Sequence, residues 1–299
     1  MSSSYSNPLS KRQILGYNCH MNWKNFRKSD NVEDRRGGGA ARAGGVGIGG
    51  IIIALIASAV FGVNPAQVLG FLGGNTGRVS SSGSGAVNDR DRQFAGSILG
   101  KTEDVWGAIF KQSGQTYSPA KLVLFTGQDN SACGPAEAAM GPFYCPADQT
   151  VYIDTAFFQE LRGTSNSDFA QAYVLAHEIG HHVQNLLGIS DKVQARRARA
   201  DKVTSNKLSV LTELQADCFA GIWGHDTAQD KTANITETEI RAALQTASEI
   251  GDDVLQRQAG RRPNAETFTH GSAAQRQQWF VRGLQSGNPA QCDTFKAGI

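Results

Sequence analysis

His177-Glu178-Ile179-Gly180-His181 forms an H-E-x-x-H pattern. On an α-helix, residues four apart lie on one face, one turn from each other. Two imidazoles placed in this way can reach a single metal ion from a rigid support. Glu178 stands beside them but not between them, where a general base can take a proton from a water held at the metal. The chemistry that follows is hydrolysis: water attacks a carbonyl, and Glu178 passes the proton on to the leaving amine. The chain has six histidines in 299 residues, so such a pattern seldom arises from composition alone. His182 points about 100° away from His181. That puts it outside the ligand pair, in a supporting or surface position.

Two histidines do not hold zinc firmly, and a catalytic site needs a third protein ligand and one open position. Downstream, Glu213 and Asp217 are four apart in Glu213-Leu214-Gln215-Ala216-Asp217. Glu213 is the candidate third ligand. Asp217 can accept a hydrogen bond from a ligand imidazole and fix its tautomer. His225 and His270 are rival third ligands, and either would make a three-histidine site. Two imidazoles, a carboxylate and an open position suit one Zn2+ per chain. His270 is also the candidate to stabilise the oxyanion.

The elements that must position these groups follow from periodicity and capping signals. Ser165 to Asp168 offer N-caps and an acidic first turn. Phe169, Ala172, Tyr173, Ala176, Gly180, Val183 and Leu187 then recur at helical steps, and Gly188 is a natural stop. Gly180 costs about 1 kcal/mol against alanine in a helix and reads as room for another element to approach. Upstream, the pattern predicts a helix over 89–112, a short strand over 122–125, and a hairpin pairing 143–145 with 150–153. Downstream, it predicts a charged helical stretch over 191–207 and a core helix over 208–223. The capping boxes Thr236-x-x-Glu239 and Ser272-x-x-Gln275 open helices over 237–258 and 273–285. The fold class is α+β, mostly helical with a small sheet. Phe143 and Tyr144 are the candidate strand along which an extended peptide or protein substrate would pair.

The remainder of the chain bears on location. A net charge of +2 gives no case for nucleic acid. Residues 1–43 are polar and read as disordered. Residues 44–63 carry no charge and are long enough to span a bilayer. Basic residues precede this stretch, which places residues 1–43 in the cytoplasm and the bulk of the chain outside. Residues 64–87 read as a flexible linker, and 88–299 as the folded domain. Of five cysteines, Cys133, Cys145, Cys218 and Cys292 fall on the external side, where disulfides are permitted. Four cysteines allow three pairings. Cys133 with Cys145 is the most local and leaves Cys218 with Cys292.

The pairing of His177–His181 with Glu213–Asp217 resembles the Glu-zincin metallopeptidases. The wider chain is similar to the bacterial predicted neutral zinc metallopeptidases. That resemblance is carried by Ser29 to Arg36, Gly141 to Pro146, His177 to Gln184, Glu213 to Cys218, and His270-Gly271-Ser272. It implies a zincin-like periplasmic domain on a single inner-membrane span. It also implies His177, His181 and Glu213 as ligands and Glu178 as base. The function expected is a membrane-anchored zinc endopeptidase. The alternatives are a non-catalytic, zinc-stabilised envelope binding module and an amidase acting on cell-wall peptides.

Overall fold

The computed structural model describes residues 20–36, 89–165 and 167–297. The uncharged 44–63 stretch and the linker lie outside these residues. Among the described residues, no helix is long and apolar enough to cross a membrane.

Strand β1 (Val32–Asp34) comes first, followed by helix α1 (Asp89–Gln112) and strand β2 (Lys121–Phe125). A two-stranded antiparallel sheet, β3 (Gln128–Ser131) with β4 (Gly134–Glu137), interrupts the path. Strands β5 (Phe143–Cys145) and β6 (Thr150–Asp154) form the expected antiparallel hairpin. The main sheet has the order β1-β2-β6-β5. Its first two pairings are parallel, with Val32 opposite Leu122 and Leu122 opposite Val151. Parallel strands are covered on both faces. Accordingly, all of β6 and all of β2 except Lys121 are buried. Strand β5 is left at the edge.

The helical part begins with α2 (Thr155–Ser165) and the metal-motif helix α3 (Asp168–Leu186). Ser167 caps α3, its side chain accepting from the Ala170 amide. Fifteen of its nineteen residues are buried, so it is an all-round core helix and not a surface amphipath. Next come α4 (Ile189–Arg197) and the long α5 (Lys202–Gln229). The charged stretch and the core helix expected over 191–223 are divided differently. The break falls at 198–201, where Asp201 caps a new helix by accepting from the Thr204 amide. The helix expected over 237–258 is also two: α6 (Glu237–Glu249) and α7 (Asp252–Gln258), separated at Gly251. A Cβ at Gly251 would lie 2.4 Å from the Ala273 nitrogen, so only glycine lets the helix that begins at Ala273 approach there. Helix α8 (Ala273–Ser286) carries both halves of its capping box, and α9 (Thr294–Ala297) ends the fold.

Two expectations are corrected. Residues 1–43 are not disordered throughout, and the folded domain does not begin at 88. Met21, Trp23 and Phe26 are buried in the main core, and β1 is an integral strand of the sheet. The Trp23 indole donates to Asp168 Oδ2 at 2.8 Å, at the start of α3. Glu239 was expected to close a capping box on Thr236. Its carboxylate instead accepts from the Met21 amide (3.1 Å) and the Phe169 amide (3.0 Å), joining the N-terminal segment to the metal-motif helix. A three-residue strand is too short to show a period, and polar neighbours masked the three apolar anchors.

Both disulfides form as paired above. Cys133–Cys145 ties the β3–β4 hairpin to the edge strand, and Cys218–Cys292 ties the C-terminal tail to α5.

Candidate metal centre

Helices α3 and α5 cross in antiparallel fashion, because His177 meets Asp217 while Gln184, further along α3, meets Thr212. The approach is close. A Cβ on Gly180 would stand 2.9 Å from the Ala216 carbonyl oxygen, which is the room the sequence suggested. This crossing sets Glu213 over the histidine pair. His177 Nε2 lies 3.2 Å from Glu213 Oε2, and His181 Nε2 lies 3.5 Å from Glu213 Oε1. One ligand atom from each of the three residues falls within 4.8 Å of the others. Of the rival third ligands, His225 is elsewhere, its Nδ1 donating to the Leu284 carbonyl. His270 lines the same cavity but does not join the trio.

The far nitrogens of both rings are engaged, which fixes what the near nitrogens offer. His177 Nδ1 donates to Asp217 Oδ1 at 2.8 Å. Burial alone would raise the Asp217 pKa, but Arg276 and His177 overcome it and hold the carboxyl near 2. Arg276 is itself buried; its Nε donates to Asp217 Oδ2 (2.8 Å) and its Nη2 to Oδ1 (2.9 Å). The Tyr173 hydroxyl also donates to Asp217 Oδ1, at 2.6 Å. Arg276 reaches this spot because α8 packs almost backbone to backbone on α5. A Cβ at Gly283 would fall 1.9 Å from the Cys218 carbonyl oxygen.

His181 has a different support. Its Nδ1 faces Gln184 Oε1 at 2.9 Å. The Gln184 amide nitrogen donates to the Thr212 carbonyl (2.7 Å) and to Gln215 Oε1 (3.1 Å), so its oxygen is the acceptor and His181 Nδ1 carries the proton. Gln215 in turn donates to the carbonyl of Cys292, the residue clasped to α5 by the second disulfide. Both imidazoles therefore present a free Nε2 lone pair to one point, and Glu213 adds a carboxylate there. The donor set matches a zinc centre with an open position.

Glu178 lies on the floor of the same cavity, 7% exposed. Burial raises its pKa above the ordinary carboxylate value. Nothing among the described residues hydrogen-bonds its carboxylate. The cavity is about 520 Å³ and is also lined by Phe143 and Tyr144 of the edge strand. Tyr144 is locked to α3: its hydroxyl is bonded by His182 Nδ1 and Asn185 Nδ2, both at 3.0 Å. His182 is thus a buried brace between strand and helix and not a surface residue; its Nε2 donates to the Ser118 carbonyl. His270 reaches the cavity on a loop whose amides at 269, 270 and 271 all donate to Asp252 Oδ2.

Sequence reasoning missed Tyr173, Gln184, Gln215, Asp252 and Arg276. Gln184 had a signal, since it lies three residues after His181 on the same helix. Arg276 had a weaker one, as a charge on the apolar side of α8. The others depend on contacts between distant segments.

A family model described as "Putative neutral zinc metallopeptidase" matches residues 21–295. The chain belongs to this family. The neutral zinc metallopeptidase match begins at Met21, so it takes in the N-terminal segment that the fold incorporates. The Escherichia coli K12 protein named "Uncharacterized protein YpfJ" is 45% identical over 291 residues, covering 93% of this chain and all of the relative. "Uncharacterized protein Rv2575" of Mycobacterium tuberculosis is 45% identical over 201 residues, 64% of this chain and 67% of the relative. No solved structure matches the chain.

Proposed function

We propose that this member of the zinc metallopeptidase family is a zinc-dependent endopeptidase acting on envelope proteins or peptides. The observation that carries the reading is the convergence of His177 Nε2, His181 Nε2 and the Glu213 carboxylate beside an unpaired, buried Glu178. A structural site has no use for a base in that position. Bound there, zinc would polarise the scissile carbonyl and lower the pKa of water.

The protein's own groups do the rest. Asp217 and Gln184 keep the proton on Nδ1 of each histidine, so each Nε2 remains a donor of its lone pair. Glu178, with its raised pKa, takes a proton from the attacking water and gives it to the leaving amine nitrogen. The β5 edge offers unpaired backbone groups to an extended chain, with Phe143 and Tyr144 beside it. In this reading His270, on the Asp252-held loop, donates to the developing oxyanion.

Membrane attachment through residues 44–63 belongs to this proposal, but a single crossing does not. Residues 32–34 and 121–125 share one sheet. That pairing supports a reading in which the segments before and after the uncharged stretch lie on one side of the membrane. An exported location remains the reading that agrees with the two disulfides.

The test is cleavage of an unfolded protein by the purified full chain, with zinc quantified. Loss of activity on chelation and its return with zinc are expected. Tight zinc binding without hydrolysis of any peptide or protein would leave a binding module and end the peptidase reading.

A further inference from the structure

The cavity continues past His181 towards the C-terminal end of α3, and there its wall changes character. Ser190, Gln194 and Arg197 of α4 line it together with Ser209 and Thr212 of α5. Arg197 is half-buried and is held to this wall by one hydrogen bond, Nε donating to Ser205 Oγ at 3.2 Å. Ser205 lies one turn before Ser209, so the guanidinium sits against the α5 side of the cleft. None of the ion pairs among the described residues involves Arg197. The acid nearest in sequence is committed elsewhere: Asp201 caps α5, accepting from the Thr204 amide (2.9 Å) and hydroxyl (2.8 Å). The other arginine of the cavity, Arg276, is neutralised by Asp217. Arg197 thus brings a positive charge, with both Nη groups undirected, to a stretch of cleft whose other lining side chains are neutral. A planar guanidinium fork matches a carboxylate better than any other group of a peptide.

We propose that Arg197 is a specificity determinant that binds a substrate carboxylate on the His181 side of the scissile bond. The proposal rests on the peptidase reading above for its substrate class. The carboxylate is either an Asp or Glu side chain or the terminal carboxylate of the substrate.

Four fluorescent peptides with a common apolar core distinguish the sources: Glu or Gln at one internal position, each as the terminal acid or the amide. Their affinity is measured on the zinc-loaded full chain carrying Glu178→Gln, where binding is separate from turnover, and KM and kcat are measured on the parent chain. Carboxylate-bearing peptides should bind roughly tenfold more tightly than the Gln amide, the scale of a charge-assisted hydrogen bond. That preference should vanish when Arg197→Gln is added. Ser205→Ala, which removes the tether but keeps the charge, should weaken it by less. The Glu/Gln and acid/amide arms identify which carboxylate is read. Equal affinity for all four peptides, a preference that survives Arg197→Gln, or no binding of any of them would overturn the proposal. An Arg197-dependent preference without any cleavage would sink the peptidase reading alone. Cleavage without the preference would sink this inference alone.

Discussion

Gly180 of α3 and Ala216 of α5 touch where the two site helices cross, and a Cβ at position 180 would lie 2.9 Å from the Ala216 carbonyl oxygen. That contact is backbone, so it cannot be relieved by rotating a side chain. Gly180→Ala gains about 1 kcal/mol of helix propensity but meets an overpacking cost of about 1–3 kcal/mol. We expect net destabilisation in denaturant unfolding and a loss of zinc affinity, because Glu213 lies one turn from Ala216. A variant as stable as the parent, with unchanged zinc affinity, would show that the crossing has room for a methyl group.

Ligands and base should separate in a comparison of zinc content with activity. Glu178→Gln keeps size and shape, so it should retain about one zinc per chain. Its activity should fall by at least the 10²–10⁴-fold typical of general-base catalysis. Glu213→Gln, His177→Ala and His181→Ala should lose metal. Retention of full zinc by Glu213→Gln, with loss in His270→Ala, would mean the third ligand is a histidine.

Arg276 and Asp217 form a buried pair, and removing one partner of such a pair costs about 3–5 kcal/mol. Arg276→Met should therefore unfold at much lower denaturant than the parent. Asp217→Asn should lose about 10–100-fold in zinc affinity or activity. The double variant should regain stability relative to Arg276→Met, because no buried charge remains alone, yet it should not regain zinc affinity. Recovery of both would mean that Asp217 matters only for folding.

The legibility of this chain follows sequence distance. His177, Glu178 and His181 are fixed by local spacing on one helix, and Glu213–Asp217 repeats that spacing on a second. The cap candidates over Ser165–Asp168, of which Ser167 is the one used, and the caps at Thr236 and Ser272 mark three helix starts. What stayed hidden was long-range. Nothing near Glu239 indicates that its carboxylate belongs to Met21 and Phe169. Arg276 meets Asp217 only because glycines let α8 settle onto α5. The parallel pairing of β1 with β2 joins residues separated by all of the uncharged stretch and the linker, and no local period encodes it.

The N-terminal segment supplies the sharpest test. Met21, Trp23 and Phe26 fill the core beside α1, and Trp23 and Met21 fasten the start of α3 through Asp168 and Glu239. Truncating one buried Trp costs about 3–5 kcal/mol, and a whole domain is stable by only about 5–15 kcal/mol. A chain starting at residue 88 should therefore fail to fold or to hold zinc, and a peptide spanning residues 18–38 should restore both in trans. The same packing makes a proposal about location testable. Reporters fused before residue 20 and after residue 297 should report one compartment, not two. Cooperative unfolding of the 88–299 chain at the temperature of the full protein would remove the segment from the core. Reporters on opposite sides would restore the single crossing and detach β1 from the sheet.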